Sequence, residues 1–379
     1  MSETLADLIV QRIHKQPNQR ITFAQFMDYV LYEPRYGYYS AQRTQIGKSG
    51  DFYTSPHVGP DFGELLAEQL VEMGQVLGLT HFTAVEMGAG QGLLARDILV
   101  YLERVHPEFY QNLDYAIVER SPALTRQQQQ QLVGQPVRWL GTDWGTVTGC
   151  FFANELVDAF PVHRFQIQDG RLQEIYVTVG DGFTEVLGEP STPRLAEYFA
   201  LIGVELDSYP TGYQSEVNLA ALDWLDQVAA HLARGYLLTI DYGYAAPRYY
   251  HPGRTTGTLL CYHQHTTNSN PYQYLGEQDL TAHVDFTALE RYGKQCGLKK
   301  LGFTQQGLFL MALGLAERLA DLRDDATLSL NQGLQRHQAI HRLMDPTGLG
   351  RFGVLLQSKN LTPTEQATVL KGWQVPPLN

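Results

Sequence analysis

Cysteine is scarce. Cys150, Cys261 and Cys296 are the three in 379 residues, too few and too scattered for a disulfide framework or a CxxC metal site. A reducing compartment, the cytoplasm, is the expected setting. Positive charge is short as well, with 28 Lys and Arg against 40 Asp and Glu and a net charge of −12. That balance excludes the basic grooves that nucleic-acid phosphates call for and disfavours an anionic membrane surface. It suits a cationic partner. No apolar run is long enough to span a bilayer. The first residues, Glu3 and Asp7 among them, hold neither the apolar stretch of a secretory signal nor the arginines of a transit peptide, and the mature chain is expected to begin at Met1. There is no internal repeat, and the run Gln127 to Gln131 fits a helix surface. His263, His265 and His283 have no carboxylate or cysteine at metal spacing beside them, so no metal is expected. At 44% hydrophobic and 18% charged, the chain is globular and long enough for two lobes.

The most informative stretch runs Thr83-Ala-Val-Glu-Met-Gly-Ala-Gly-Gln-Gly-Leu-Leu-Ala-Arg-Asp-Ile-Leu99. It begins as a buried strand, passes three glycines on alternate positions, and continues with Leu94, Ile98, Tyr101, Leu102 and Val105 on one face of a helix. Gly88, Gly90 and Gly92 let the backbone turn sharply and approach a ligand closely, at a helix N-terminus whose free N–H groups favour an anionic or electron-rich group. Dinucleotide folds use G-x-G-x-x-G with an acid about 20 residues beyond it. Here the third glycine comes one residue early, and no Tyr-x-x-x-Lys hydride-site signature is present, which counts against a nicotinamide-dependent oxidoreductase. Glu86, two residues before Gly88, and Glu119, ending the apolar run from Tyr115, together resemble motifs I and II of the class I S-adenosylmethionine-dependent methyltransferases. The resemblance implies S-adenosyl-L-methionine as cofactor. It gives Glu119 the ribose hydroxyls and sets the glycine loop beside the sugar and methionyl part.

Strands and helices then alternate, as in a parallel doubly wound sheet. Tyr115 to Glu119 is the second strand and Val137 to Leu140 the third, followed by Asp143 and Trp144. In methyltransferases an acid and an aromatic at this point commonly meet the adenine; a turn Asp with a core Trp is the alternative. The next strand starts at Gly149 and ends in Asn154, Glu155 and Asp158, and strand ends are where ligands sit in open sheets. From His163 the period changes to two, with Asp169-Gly170 and Asp181-Gly182 as hairpin signals. Tyr236 to Gly243 resumes the sheet, a long Tyr-rich segment spans Tyr244 to Thr281, and a helix from about Phe286, an apolar stretch from Phe303 to Leu313 and helices around Ala316 to Leu322 and Leu334 to Leu343 follow.

Several further stretches resemble the MidA family, the mitochondrial complex I assembly factor methyltransferases and their bacterial relatives. They are Tyr36-Gly-Tyr-Tyr39, Gly50-Asp-Phe52, Phe62-Gly-Glu-Leu65, Ala153-Asn-Glu-Leu-Val-Asp-Ala-Phe-Pro-Val-His163, Ile240-Asp-Tyr-Gly-Tyr244 and Asp279-Leu-Thr-Ala-His-Val-Asp-Phe286. The expected fold is an α/β class I methyltransferase (Rossmann-like) sheet with a helical N-terminal cap, an antiparallel β-hairpin insertion and helical additions. Residues 1–80 would form the cap and lid, 81–162 and 235–315 the core, 163–234 the insertion and 316–379 a C-terminal helical extension. The cofactor set is Glu86, Gly88, Gly90, Gly92, Glu119, Asp143, Trp144 and Asn154. The resemblance implies methylation of a protein arginine, possibly on a complex I subunit, with a non-catalytic cofactor-binding assembly factor as the alternative. A guanidinium acceptor calls for carboxylates that hold it by charge-assisted bonds. Glu155, Asp158, Asp51 and Asp285 are the candidates, each with a solvated or helix-capping alternative. The expected partner is a basic, arginine-containing protein segment. The Tyr36 to Ser40 and Gly50 to Ser55 segments are expected to fold over the cofactor, and removal of residues 1–55 to leave a folded core.

Overall fold

Seven runs pair into one sheet: β1 (Phe82–Met87), β2 (Leu113–Val118), β3 (Val137–Leu140), β4 (Val147–Asn154), β5 (Leu232–Asp241), β6 (Lys299–Gln305) and β7 (Gly353–Lys359). The computed structural model describes residues 3–40, 54–264, 266–322 and 329–374. Across the sheet the order is β3-β2-β1-β4-β5-β7-β6. The strands from β3 to β5 are parallel, and β7 runs antiparallel to both of its neighbours. Strand order reverses between β1 and β4, which opens a crevice at their carboxyl ends.

Alternate side chains feed two cores, as the period of a strand requires. Ala84, Cys150, Phe152, Tyr236, Leu238 and Ile240 pack under helices Asp61–Leu77, Leu93–Val105 and Gln306–Leu313. Val85, Phe151, Ala153 and Leu237 pack under Leu219–His231 and Phe286–Gln295. Two expected boundaries are corrected here. Helix Asp61–Leu77 buries Phe62, Leu65, Leu66, Leu70 and Met73 in the sheet's own core, so it is a layer of the methyltransferase unit rather than part of the cap. β7 lies inside the stretch 316–379 that was expected to be helical; its residues from Gly353 to Ser358 are all buried, and a strand covered on both faces shows no alternation in sequence.

Gly149 keeps β1 and β4 close. Its φ is +150° and a Cβ there would lie 2.1 Å from the Thr83 carbonyl oxygen, which is backbone and cannot rotate away. Gly149→Ala should therefore destabilise the protein by about 3 kcal/mol or more, read as a fall of several degrees in Tm. An unchanged Tm would contradict this account of the strand pair.

The remaining strands build a lobe beside the sheet. His163–Gln168 and Arg171–Gly180 form the expected hairpin, with Asp169 and Gly170 at φ 51° and 72° supplying its turn. The N-terminal strand Arg20–Thr22 adds to the same sheet by pairing with Thr178 to Tyr176. Helices Leu5–His14 and Phe23–Tyr32 share one core with Val162, Val177, Cys261 and Leu280. Cutting away residues 1–55 would expose that core, so a truncation there tests the lobe's folding before it tests any lid.

Candidate active site

At the end of β1 the chain turns through Gly88, Gly90 and Gly92, with φ of 71°, 53° and 81°, and Gly92 leads directly into helix Leu93–Val105. Such values suit glycine and strain other residues. Across the crevice β4 delivers Asn154 and Glu155. Between the two lies a cleft of about 810 Å³, lined by Glu86, Gly88, Gly90, Glu119, Asn154 and Glu155, and by Tyr32, Tyr39, Pro56 and His57 from the N-terminal segment.

Each acid in the cleft is held by its neighbours. Glu86 is buried, accepts a 2.6 Å bond from the Tyr115 hydroxyl, and has its carboxyl pushed up to about 7 by burial. Glu119 follows β2; one oxygen accepts from the Ser121 N–H at 2.8 Å and the other from Gln128 Nε2 at 2.9 Å. Burial raises its carboxyl too. Gln128 also donates from Nε2 to the Gly90 carbonyl at 2.9 Å and accepts from Trp139 Nε1 at 2.9 Å. It is completely buried, so the glutamine run read as a helix surface has one member inside the site. The spacing of Leu124, Gln128 and Leu132 was the available signal, because residues four apart share a helix face.

Glu155 is the wall between two cavities. It has φ 51°, uncommon for a residue with a side chain, and its Oε1 accepts from the Ser55 N–H at 3.0 Å and Asn154 Nδ2 at 3.1 Å. Burial pushes its carboxyl up to about 8. Ser55 itself is fully buried and its hydroxyl meets the Gln306 side chain, so the turn at Thr54–Val58 is latched to both. On the far side of Glu155 lies a second cavity, lined by Asp158, Tyr242, Tyr262, Asp279, His283 and Arg351 among others. Asp158 is buried, and its Oδ1 has no hydrogen-bond partner among the described residues. Beneath it Asp241 accepts the N–H groups of Val157 and Asp158 on Oδ2 and that of Tyr242 on Oδ1. Burial, reinforced by Asp158 and Glu155, drives the Asp241 carboxyl well up. Tyr39 donates to Asp279 Oδ1 at 2.9 Å, tying the N-terminal segment to this cavity as well. Tyr39 and Ser55 belong to the two segments expected to fold over the cofactor, whereas Gln128 and Gln306 carry no motif that points to the site.

Three expected site residues lie elsewhere. Asp285 caps helix Phe286–Gln295, accepting from the N–H groups of Thr287 and Ala288 and from the Tyr198 hydroxyl, so its carboxylate is consumed by structure. Asp143 accepts the Gly145 N–H in an exposed turn, and Trp144 donates to the Gly141 carbonyl and packs on Phe151 and His231. Neither lines the cleft. Asp51, with Gly50 and Phe52, lies outside the described residues, as does His265. His263 stacks on Tyr274 at 4.1 Å and His283 on Tyr244 at 5.0 Å.

A glycine loop after β1, an acid after β2 and a seven-stranded sheet with its last strand reversed define a class I S-adenosylmethionine-dependent methyltransferase. The chain belongs to a family of S-adenosyl-L-methionine-dependent methyltransferases whose pattern matches residues 65–304. The protein arginine methyltransferase NDUFAF7 homolog of Drosophila melanogaster, a mitochondrial protein, is 32% identical over 373 residues, covering 88% of this chain and 80% of that one. Its Homo sapiens counterpart is 32% identical over 379 residues, covering 90% and 81%. A Burkholderia thailandensis protein, bound to S-adenosyl-homocysteine in its crystal structure, superposes with a TM-score of 0.84 at 30% identity, covering 97% of this chain and 94% of that one. These likenesses agree with the resemblance to the MidA family read from the motifs.

The cofactor is S-adenosyl-L-methionine, and the cleft fits it. A Cβ at Gly90 would meet nothing within 4 Å, so the loop leaves room at its tip. Asn154 Oδ1 is a buried acceptor with no partner among the described residues, suited to an N–H donor such as the methionyl ammonium. Among the described residues no helix is long and apolar enough to cross a membrane.

Proposed function

We propose that the protein transfers the methyl group of S-adenosylmethionine to an arginine guanidinium on another protein, with a respiratory complex I subunit as the acceptor implied by the family resemblance. The observation that carries the reading is the second cavity behind Glu155. Its carboxylates face a space large enough for a long side chain, and among the described residues neither Glu155 nor Asp158 has a cationic partner. A buried carboxylate without a counter-cation is costly, and an arriving guanidinium relieves that cost by forked, charge-assisted bonds. The names of the fly and human relatives support the same acceptor.

Bound cofactor supplies an electrophilic sulfonium methyl. The chain's residues orient the nucleophile in line with it and exclude water. Glu119 and Asn154 are assigned to the cofactor side. Glu155 Oε1 is committed to Ser55 and Asn154, which leaves Oε2 to grip the guanidinium nitrogen and take the proton it loses as the N–C bond forms and the C–S bond breaks. Asp158 holds the other edge of the fork.

The test is mass spectrometry of total protein from cells with and without the gene. Loss of at least one methylarginine is expected. Unchanged methylarginine, or loss of methyllysine alone, would overturn the assignment, and cofactor binding without any methylated product would favour the assembly-factor alternative.

A further inference from the structure

A net charge of −12 favours basic partners for the chain as a whole. The entrance to the second cavity has the opposite sign. Arg351 lines the cavity and is exposed, which puts it at the mouth. Arg248 and Arg254 sit over the Tyr244 ring at 4.3 and 4.7 Å, and that ring is stacked at 5.0 Å, 16° from parallel, on His283 in the cavity wall. Among the described residues no ion pair engages any of the three arginines. Arg254 Nε is buried and has no acceptor among the described residues. Burial, and after it the charges of Arg351, Arg254 and Arg248, hold His283 down to about 4, so the histidine is neutral and the positive charge at the mouth belongs to the arginines. In the same lining Asp158 and Asp279 are buried and Glu155 is half-buried, whereas Arg351 is exposed.

Charge therefore changes sign along the path of entry. An arginine carried by a basic segment brings more positive charge to a positive mouth and is repelled before its guanidinium reaches the acids. An arginine flanked by carboxylates meets the mouth with complementary charge, and Arg351, Arg248 and Arg254 can each hold a carboxylate bidentately. We propose that the acceptor segment carries Asp or Glu within about three residues of the methylated arginine, the reach that about 3.3–3.6 Å per extended residue allows, and that these acids dock on Arg351, Arg248 and Arg254. This rests on the reading of the cavity as an acceptor-arginine site. It replaces the expected basic segment with an acidic one around a single arginine.

The test is a peptide library with a central arginine and degenerate flanks, incubated with full-length protein and labelled S-adenosylmethionine, the labelled fraction then being sequenced. Enrichment of Asp and Glu is expected, with KM about tenfold lower for an acid-flanked than for a lysine-flanked peptide and kcat little changed, since pairs at the rim act on encounter and binding. In R351E combined with R248E the preference should reverse toward lysine flanks, and calorimetric binding of S-adenosylmethionine confirms that the variant is folded. Methylarginine formed with neutral or basic flanks preferred, or a preference unmoved by the charge reversal, overturns the inference and leaves the arginine reading standing. Label on another residue, or on none, removes that reading and the inference with it.

Discussion

Glu155→Gln should lower methyl transfer by about 10²–10³-fold, the scale of a positioned proton acceptor and charge partner, while S-adenosylmethionine affinity changes little. Gln keeps an oxygen for the Ser55 N–H and loses the charge that faces the acceptor. The pH dependence carries the same signature. The Glu155 carboxyl is raised by burial from 4.5 to about 8, so the wild-type rate should climb with pH until that group is ionised, and the variant should lack that limb. Stability moves the other way. An acid whose folded value lies above its unfolded one contributes stability that is complete below the unfolded value and is lost as pH rises through the folded value. Wild-type protein without ligands should therefore lose stability between about pH 4.5 and 8. Glu155→Gln should melt higher than wild type at pH 8 and close to it at pH 4.5. Wild-type turnover in the variant, or cofactor binding lost together with transfer, would remove Glu155 from the acceptor side.

Glu119→Ala should weaken S-adenosylmethionine binding by about 1.5–3 kcal/mol, or roughly 10- to 150-fold, the size of hydrogen bonds to a charged group. Two structural bonds go with the carboxylate, those from Ser121 and Gln128, so Glu119→Gln is the control that restores one of the two acceptor oxygens without the charge. Calorimetry should show wild type, Gln and Ala in falling order of affinity, and no binding of nicotinamide dinucleotide by any of them. Equal affinity across the three would place the ribose elsewhere.

How far the sequence reached follows from what each residue shows to its neighbours along the chain. The glycine loop and β3 were legible because turn chemistry and apolar runs are local. β7 was not, since a buried strand flanked by helices carries no period of its own, and neither was β6, an edge strand without a buried residue whose pattern shows no alternation of apolar and polar side chains. Asp285 and Asp158 look alike as strand-end acids, yet one is consumed by two helix N–H groups and the other keeps an oxygen without a partner among the described residues. Only the fold separates them. Two arginines on one tyrosine and a third about 100 residues later could not be read as one cationic mouth, because nothing local links them.

The left-handed backbone at Glu155 has a consequence for how this chain could change over generations. A non-glycine residue there carries a strain of about 1 kcal/mol, and a buried carboxyl adds to it wherever it is ionised. Glycine at this position would relieve both but would leave the Ser55 N–H and Asn154 Nδ2 without their acceptor, a loss of about the same size. Selection for heat alone therefore gains little by removing the glutamate, and the strained position can persist while turnover depends on it.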